Sequence, residues 1–293
     1  MVKIAYDSDV SDFGIARSIV SLEKIFQDSL DSPPRIHAEV NNGSIVFTVG
    51  GSRLSNRAGF RVYTTFPNDN QITVVYDSES GGIEGIVFGS LLGAYRTAAI
   101  GALSIKYMSN TDADSLGVVG SGVQAFHQAV AALHVRNFSR IIAFSRSPEH
   151  LASFASRLGN VVGIPIIRSA SPADVVSRSD VIITATRSDF PLFDAAILRK
   201  GSHVVSVGSK TVGNSELDPS IARMVTFAAT DSVVQLENYT PPHIMAGRPV
   251  TGLGDIIRGK VEARESRDDI TIFLSVGLSG TEVMLASEIL KRK

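Results

Sequence analysis

The residues best suited to chemistry form a short glycine-rich segment, GSGVQA, at positions 120–125. It follows an apolar run and continues into a helical pattern, which is typical of the strand–turn–helix opening of a dinucleotide-binding unit. Gly120 allows a sharp turn, Gly122 lets a pyrophosphate approach the backbone, and Ala125 lets the helix pack against the strand. The N–H groups that open the helix can then bind phosphate, so the segment predicts a cofactor site.

Arg96 is the only charged residue between Glu84 and Lys106, within a predicted apolar helix. A central arginine argues against a membrane span, because a charge at that depth is costly. Two interpretations of Arg96 are open. It forms an ion pair with an Asp or Glu distant in sequence, or it binds a substrate carboxylate or cofactor phosphate through its planar fork of donors.

The residues that select the ribose of a dinucleotide are expected at the end of the second strand, about twenty residues after the glycines. The sequence there is Phe144-Ser145-Arg146-Ser147, without a carboxylate. Arg146 and its serine neighbours suit a 2′-phosphate, which favours NADP(H) over NAD(H), whereas an Arg146 that points to solvent would favour neither. Thr184 and Thr186, which close a later strand, either line the dinucleotide or cap the next turn.

Composition restricts the class of protein. The chain has 293 residues, 44% of them hydrophobic and 19% charged, with a formal net charge of −1. Nucleic-acid and anionic-membrane binders usually carry a basic excess, so neither partner is expected. There is no cysteine and no histidine pair at metal-ligand spacing, so no metal is expected. The N-terminus lacks a signal-peptide pattern, and we expect a cytoplasmic protein.

The elements that must position these residues fall into two patterns. Apolar periodicity predicts one or two helices over 13–30. Strands at 44–49, 61–66, 72–76 and 83–88 follow, with turn compositions such as Pro67-Asn68-Asp69 between them, and then a helix over 91–108. From Ser115 strands alternate with helices, which predicts a parallel sheet. The strands are predicted at 116–120, 140–145, 163–167, 180–185, 202–207, 224–229 and 270–275, the helices near 122–136, 148–158, 171–178, 192–199 and 216–222, and a last helix over 280–291.

Several segments in a fixed order together resemble the ornithine cyclodeaminase/μ-crystallin family. The most specific are Tyr95-Arg96-Thr97-Ala98-Ala99 and the glycine segment at this separation. The others are Pro34-Arg35, Gly59-Phe60-Arg61-Val62, 179–186, 201–208, Glu216-Leu217-Asp218 and 269–277.

The resemblance implies an α/β fold in which a Rossmann-type, doubly wound parallel sheet is inserted into a smaller α+β domain. Residues 1–112 and 277–293 would form the substrate-binding and dimerisation domain of a homodimer, and 113–276 the NAD(P)-binding domain. It also implies hydride transfer between nicotinamide and the α-carbon of a small amino or imino acid.

The resemblance also assigns site roles to the residues of this chain that occupy the family's site positions. Arg35, Arg61 and Arg96 would bind the substrate carboxylate. The implied cofactor-binding residues are Thr97, Gly120, Gly122, Val123, Gln124, Ser145, Arg146, Ser147, Thr184, Thr186, Val207 and Gly277.

Three departures from the family pattern bear on the chemistry. Arg61 stands where the family has an active-site lysine, so it is a candidate catalytic residue together with Lys210, although arginine stays protonated near neutral pH. Lys210 stands where cyclodeaminases carry an aspartate. Thr281-Glu282 replaces an acidic–Asp pair, so the substrate pocket is altered.

Without the aspartate, reduction is favoured over cyclisation. The leading hypothesis is an NAD(P)H-dependent imino-acid (ketimine) reductase, reversible as an amino-acid dehydrogenase. In it, a desolvated Lys210 would exchange the proton, since burial lowers the pKa of a lysine. Two alternatives remain open: ornithine cyclodeaminase, which converts ornithine to proline and ammonia, and a catalytically silent dinucleotide-binding homologue.

Overall fold

The computed structural model describes residues 1–28, 30–41, 43–66 and 71–293, so the turn predicted at Pro67-Asn68-Asp69 lies outside the described residues. The helices are α1 Asp7–Phe13, α2 Ile15–Phe26, α3 Leu91–Met108, α4 Val123–Leu133, α5 Pro148–Gly159, α6 Pro172–Ser177, α7 Ile221–Met224, α8 Val233–Glu237, α9 Leu253–Ile257 and α10 Thr281–Leu290. The strands are β1 Lys3–Ala5, β2 Leu30–Asp31, β3 Ile36–Val40, β4 Gly43–Ser52, β5 Arg57–Thr64, β6 Ile72–Asp77, β7 Ile83–Phe88, β8 Ser115–Val119, β9 Arg140–Phe144, β10 Ile166–Arg168, β11 Val181–Thr184, β12 His203–Ser206, β13 Lys210–Thr211, β14 Asn214–Ser215, β15 Phe227–Thr230, β16 Thr251–Gly252 and β17 Thr271–Leu274.

The chain divides into two compact units. The first contains Met1–Ala99 and Gly277–Lys293, and the second contains Ile100–Val276. The division therefore falls within α3, whereas the sequence-based boundary was placed after this helix, at residue 112. Among the described residues, no helix combines the length and the apolar character that crossing a bilayer requires.

The first unit is a mixed sheet covered by helices on one face. Its strand order is β1-β7-β6-β5-β4-β2, with β3 also paired to β4. Among the described strands of this first sheet, only β1 and β7 form a parallel pair. Helix α10 packs its apolar side chains, including Val283 and Leu285, with Val75 and Val87 of the sheet. Period-two alternation places one side of each strand toward this core and the other side outward.

The second unit is built on an eight-stranded sheet in the order β10-β9-β8-β11-β12-β17-β15-β16. Every pair in it is parallel. Strand order reverses beside β8, which pairs with β9 on one side and β11 on the other. The carboxyl ends of the strands at such a switch point form the crevice where α/β proteins bind ligands. The sequence-based α/β fold with a Rossmann-type parallel sheet is thus confirmed.

Two predicted helices are wrong. The helix predicted over 216–222 has only its last two residues in α7, Ile221–Met224. The segment 192–199 forms only a single 3₁₀ turn, Ala195–Ile197. The Asp194 side chain accepts a hydrogen bond from the Ala196 N–H at 2.8 Å, which starts the turn. Leu198 already has extended backbone angles (φ −61°, ψ 127°), so the turn cannot propagate into an α-helix.

Candidate functional site

Gly120 occupies a position that requires glycine. Its φ is +128°, and a Cβ there would collide with the carbonyl oxygen of Ala185, in the loop after β11. The Gly120 N–H donates to the Phe144 carbonyl at 2.9 Å, which ties the turn to the end of β9. The turn is therefore fixed by the backbones of two neighbouring strands, as expected of a residue that lets β8 turn into α4.

Gly122 meets a different requirement. As the N-cap of α4 it has φ −78°, a conformation open to any residue, and a Cβ there would meet nothing within 4 Å. Open space in front of an eleven-residue helix leaves its first N–H groups accessible to an anion. Gln124 adds a buried Oε1 with no hydrogen-bond partner among the described residues. The open N-terminus of α4 fits the phosphates of a dinucleotide, whereas the Gln124 Oε1 is an acceptor and can bind only a ligand group that donates.

The predicted ribose end lies at the carboxyl end of β9. The hydroxyl groups of Ser145 and Ser121 are hydrogen-bonded at 2.8 Å, which links the ribose end to the glycine turn. Ser147 is the N-cap of α5 and accepts the His150 N–H at 3.1 Å. Arg146 is exposed and has no hydrogen bond or ion pair with any described residue. Its guanidinium is therefore available to a ligand.

Glu149 is a residue of this end that the sequence analysis missed. The Ser147 hydroxyl donates to its Oε2 at 2.6 Å, and this hydrogen bond lowers the pKa of the Glu149 carboxyl. The segment 144–147 contains no carboxylate, but the first turn of α5 brings one to it. The signal was present in the sequence, because Ser-Pro-Glu is a typical helix start with an acid in the first turn.

Glu216 is the second residue that was missed, and it joins the ends of β11 and β12. It is fully buried and accepts five hydrogen bonds. The donors are the Thr184 hydroxyl (2.7 Å), the Thr186 N–H (2.9 Å) and hydroxyl (2.7 Å), the Ser206 hydroxyl (3.1 Å) and the Gly208 N–H (2.8 Å). Thr184 and Thr186 therefore donate to Glu216, and only their oxygen lone pairs can face a ligand.

Val207 directly follows β12, and Lys210 is the first residue of the short strand β13. The Val207 N–H donates to the Thr184 carbonyl at 2.8 Å. Lys210, 3% exposed, donates from its Nζ to the Gly208 carbonyl, so it is desolvated as its proposed role requires. His243 lies near the Lys210 charge. The pKa of His243 is lowered to about 3, mainly by burial and to a smaller extent by the positive charge of Lys210.

In the first unit, Arg61 and Arg96 meet on a single buried carboxylate. Glu282, 1% exposed, accepts the Arg61 Nη1 at 2.8 Å and the Arg96 Nη2, both on its Oε1. Burial alone would raise the pKa of the Glu282 carboxyl. The charges of Arg96 and Arg61 outweigh burial and lower this pKa to about 2. Of the two interpretations of Arg96, the ion pair with a distant acid is observed.

Arg61 is also held from its other side. Its Nε and Nη2 donate to Gln71 Oε1, the former at 3.1 Å, and its Cζ lies 4.3 Å from the centre of the Tyr63 ring. Gly93 of α3 leaves space for the Arg61 guanidinium, because a Cβ on residue 93 would lie 2.5 Å from the Arg61 Nη2. Burial lowers the pKa of Arg61, yet its paired guanidinium remains a donor rather than a proton-transfer group.

Arg35 joins this cluster through two hydrogen bonds. It donates to the Tyr63 hydroxyl at 3.3 Å and to the Gly277 carbonyl at 3.4 Å. Gly277 has φ +89°. A Cβ built on Gly277 would contact the Arg35 guanidinium and lie 3.8 Å from the Arg96 Nη1. Both guanidinium groups therefore reach the space beside Gly277. Thr97 donates its hydroxyl to the Gly93 carbonyl one turn earlier in α3, at 2.9 Å.

The structure thus assembles two groups of predicted residues. The three arginines and Gly277 lie together in the first unit, with Thr97 on the same helix as Arg96. The glycine turn, the ribose end, the two threonines, Val207 and Lys210 all lie at carboxyl ends of strands of the second unit.

The parallel sheet, its switch point and the glycine turn define a Rossmann-type protein. The chain belongs to the ornithine cyclodeaminase/mu-crystallin family, whose model matches residues 19–292. The resemblance seen in the sequence is confirmed.

Two relatives have named activities. The Delta(1)-pyrroline-2-carboxylate reductase of Bacillus cereus is 30% identical over 251 residues, which covers 80% of this chain and 77% of the relative. The iminosuccinate reductase of Paracoccus denitrificans is 28% identical over 229 residues, 76% of this chain and 71% of the relative.

A solved structure has the same fold along the whole chain. It is the Delta(1)-pyrroline-2-carboxylate reductase of Thermococcus litoralis in complex with NADH and L-proline, with a TM-score of 0.89. The alignment covers 100% of this chain and 97% of that one, at 24% identity.

Proposed function

We propose that this protein is an NAD(P)H-dependent reductase of small α-imino acids that also runs in reverse as an amino-acid dehydrogenase. The observation that carries the proposal is the glycine turn, where Gly120 is forced by neighbouring backbone and Gly122 faces open space before α4. The two named relatives reduce compounds of this class, which supports the same reaction type here.

The second unit would hold the dinucleotide. Gly122, Val123 and Gln124 would bind the pyrophosphate, and Ser145, Arg146 and Ser147 the adenine-side ribose. The bound nicotinamide supplies or accepts the hydride. Glu216 keeps the ends of β11 and β12 together, so that Thr184, Thr186 and Val207 present a fixed surface to it.

The first unit would bind the substrate through its carboxylate. Arg35 and Arg96 both reach the space beside Gly277, where a planar carboxylate can accept from two guanidinium groups. Reduction adds hydride to the α-carbon and a proton to the nitrogen of the C=N bond. Arg61 stays protonated, so we assign the proton to Lys210, which is buried against the Gly208 carbonyl.

A pair of glycine substitutions tests the dinucleotide site. Gly122→Ala has room for its methyl group and an ordinary φ, so the variant should fold as the parent does. It should nevertheless bind NAD(P)H at least about tenfold more weakly, because the methyl group occupies the approach path of the phosphates. Gly163→Ala, which also meets open space, is the matched control. Unchanged affinity in Gly122→Ala, measured by fluorescence titration, would remove the main support for the proposal.

For the dinucleotide itself we propose a preference for NADP(H). The unpaired Arg146 supports a 2′-phosphate, whereas Glu149 nearby suits a free 2′-hydroxyl. Arg146→Ala should weaken NADPH at least about tenfold and leave NADH nearly unchanged. Glu149→Gln is the counter-test. A loss of NADH affinity in Glu149→Gln, with no loss of NADPH affinity in Arg146→Ala, would assign NAD(H) instead.

Turnover assays separate the proposed function from its two alternatives. The protein should reduce Δ1-pyrroline-2-carboxylate, or pyruvate with an amine, and Lys210→Met should lower kcat by about a hundredfold or more. Proline and ammonia formed from ornithine with NAD⁺ would indicate a cyclodeaminase. Dinucleotide binding without turnover of any of these compounds would indicate a silent homologue.

We further propose that the protein is a homodimer formed through the outer face of the first unit's sheet. Pairing aligns one apolar row across five strands: Val49, Phe60, Val74, Ile86 and Ile4. The ends of this row, Ile4 and Val49, are 47% and 38% exposed. A continuous apolar sheet face is typical of an interface. Phe60→Asp should yield a monomer in size-exclusion chromatography with light scattering, whereas an unchanged mass would refute this interface.

A further inference from the structure

We propose that Arg157, in α5, is a second ligand for the 2′-phosphate of NADP(H), in addition to Arg146. The inference rests on the proposed preference for NADP(H) and names a residue that this preference requires. Neither the glycine motif nor the family resemblance assigns a role to Arg157.

The ribose end by itself carries no net positive charge. Arg146 contributes one positive charge, and Glu149 contributes a negative one, because the hydrogen bond from Ser147 lowers the pKa of its carboxyl. A phosphate monoester carries about 1.5 to 2 negative charges at pH 7. Arg146 and Glu149 together would attract such a group only weakly, so a preference for NADP(H) requires a further cation nearby.

Arg157 brings a cation next to the glycine turn. Its Nη2 donates to the Ser121 carbonyl at 3.5 Å, and its Cζ lies 5.3 Å from the centre of the Phe126 ring in α4. The Ser121 hydroxyl is hydrogen-bonded to the Ser145 hydroxyl at 2.8 Å. A single serine therefore connects the Arg157 guanidinium with the ribose end.

The Ser121 carbonyl also shows on which side of the turn Arg157 lies. This carbonyl and the Gly122 N–H belong to one trans peptide group and point in opposite directions. The pyrophosphate is proposed to approach the N–H groups that open α4, so Arg157 lies on the other side of this peptide group, toward α5. Because α5 begins at the ribose end, with Ser147 as its N-cap, the cation is placed for the adenosine side of the dinucleotide.

The Arg157 guanidinium has donors left for a ligand. Arginine carries five N–H donors, and the hydrogen bond to Ser121 uses one of them. Arg157 is exposed, and it makes no ion pair with any acidic residue that the structure describes. A phosphate can therefore accept hydrogen bonds from Arg157 without displacing a carboxylate.

The test is fluorescence titration of the parent and variants with NADPH and with NADH. Arg157→Gln keeps an amide N–H that can donate to the Ser121 carbonyl but removes the positive charge. It should bind NADPH about fivefold more weakly, the upper range for one exposed ion pair, and NADH with nearly the parental affinity. Its preference for NADPH should also depend less on the NaCl concentration, because one charge pair that salt screens is lost.

Two further variants serve as controls. Arg157→Lys retains the positive charge and should keep most of the affinity for NADPH. Arg140→Gln makes the same change of charge at the amino end of β9, opposite the ribose end, where Arg140 pairs with Asp114. Its affinities for both dinucleotides should equal those of the parent.

An equal loss of NADPH and NADH affinity in Arg157→Gln would mean that Arg157 supports the glycine turn rather than the 2′-phosphate, and would overturn the inference. Unchanged NADPH affinity in Arg157→Gln, together with a loss in Arg146→Ala, would also overturn it but leave the proposed NADP(H) preference in place. If neither variant loses NADPH affinity, the NADP(H) preference fails, and the inference fails with it.

Discussion

Each unit of this protein buries one glutamate completely, and the two glutamates are held in opposite ways. Glu282 in the first unit is held by charge, between the guanidinium groups of Arg61 and Arg96. Glu216 in the second unit is held by hydroxyl and backbone N–H donors from the ends of β11 and β12.

The difference separates a contact that depends on charge from one that depends on hydrogen-bond geometry. Removing the charge of Glu282 would leave two buried guanidinium groups without the carboxylate that they share. Three hydroxyl groups and two backbone N–H groups converge on Glu216, so its carboxylate fixes the loops after β11 and β12 by the geometry of its hydrogen bonds. We therefore expect Glu216 to serve the architecture of the dinucleotide crevice and Glu282 to hold Arg61 and Arg96 together.

The largest expected effect follows from removing Glu216. Glu216→Leu leaves five donors without their acceptor, two of them buried and three half-buried, and each buried unsatisfied group costs about 1–3 kcal/mol. The free energy of unfolding should fall by at least about 4 kcal/mol, measured by urea denaturation. Glu237→Leu, an exposed and unpaired glutamate of the same unit, should change it by less than about 0.5 kcal/mol. A loss of less than about 1 kcal/mol in Glu216→Leu would show that the five hydrogen bonds of Glu216 do not hold this part of the fold.

A smaller effect is expected from Glu282. Glu282→Gln retains a carbonyl that can accept from Arg61 but removes the negative charge that Glu282 supplies to the arginine pair, at a cost of about 2 kcal/mol. Acetate should restore part of that loss, because it can bind Arg96, whereas chloride at equal ionic strength should restore less. The same salts should have no differential effect on Glu216→Gln. Equal responses of the two variants to acetate would contradict the comparison.

The sequence predicts the elements well where one pattern dominates the segment. Helix α3 has the predicted bounds, because its apolar residues continue on nearly every side over eighteen positions. Seven of the eight strands of the parallel sheet were placed within a few residues, since each is a short apolar run bounded by turn residues. The two-residue strand β16, Thr251–Gly252, was not predicted. Segment 192–199 failed because a single capped turn resembles the start of a helix.

The site was predictable only as far as local motifs reach. The glycine turn is contiguous, so its residues could be named from the sequence. Glu216 lies 30 and 32 positions from the two threonines that donate to it, and Glu282 lies 186 positions from Arg96. Such partners are brought together by strand order and helix packing. The sequence could indicate that Arg96 requires an acid but could not identify which one.

The smallest effect concerns pH. The pKa of Glu282 is about 2 in the folded protein, against 4.5 for an unperturbed glutamate, so its charge stabilises the fold fully above about pH 4.5. That contribution should be lost as the pH falls from about 4.5 toward 2. Burial lowers the pKa of His203 and His243 to about 3, which reduces stability from about pH 6.5 downward, but equally in the parent and in Glu282→Gln. The difference in unfolding free energy between these two proteins should therefore stay constant from about pH 7 to 5 and shrink below about pH 4.5. Urea denaturation at a series of pH values measures it. A difference that instead shrinks between about pH 7 and 5 would mean that Glu282 titrates at a far higher pH, and that charge does not hold it between the arginines.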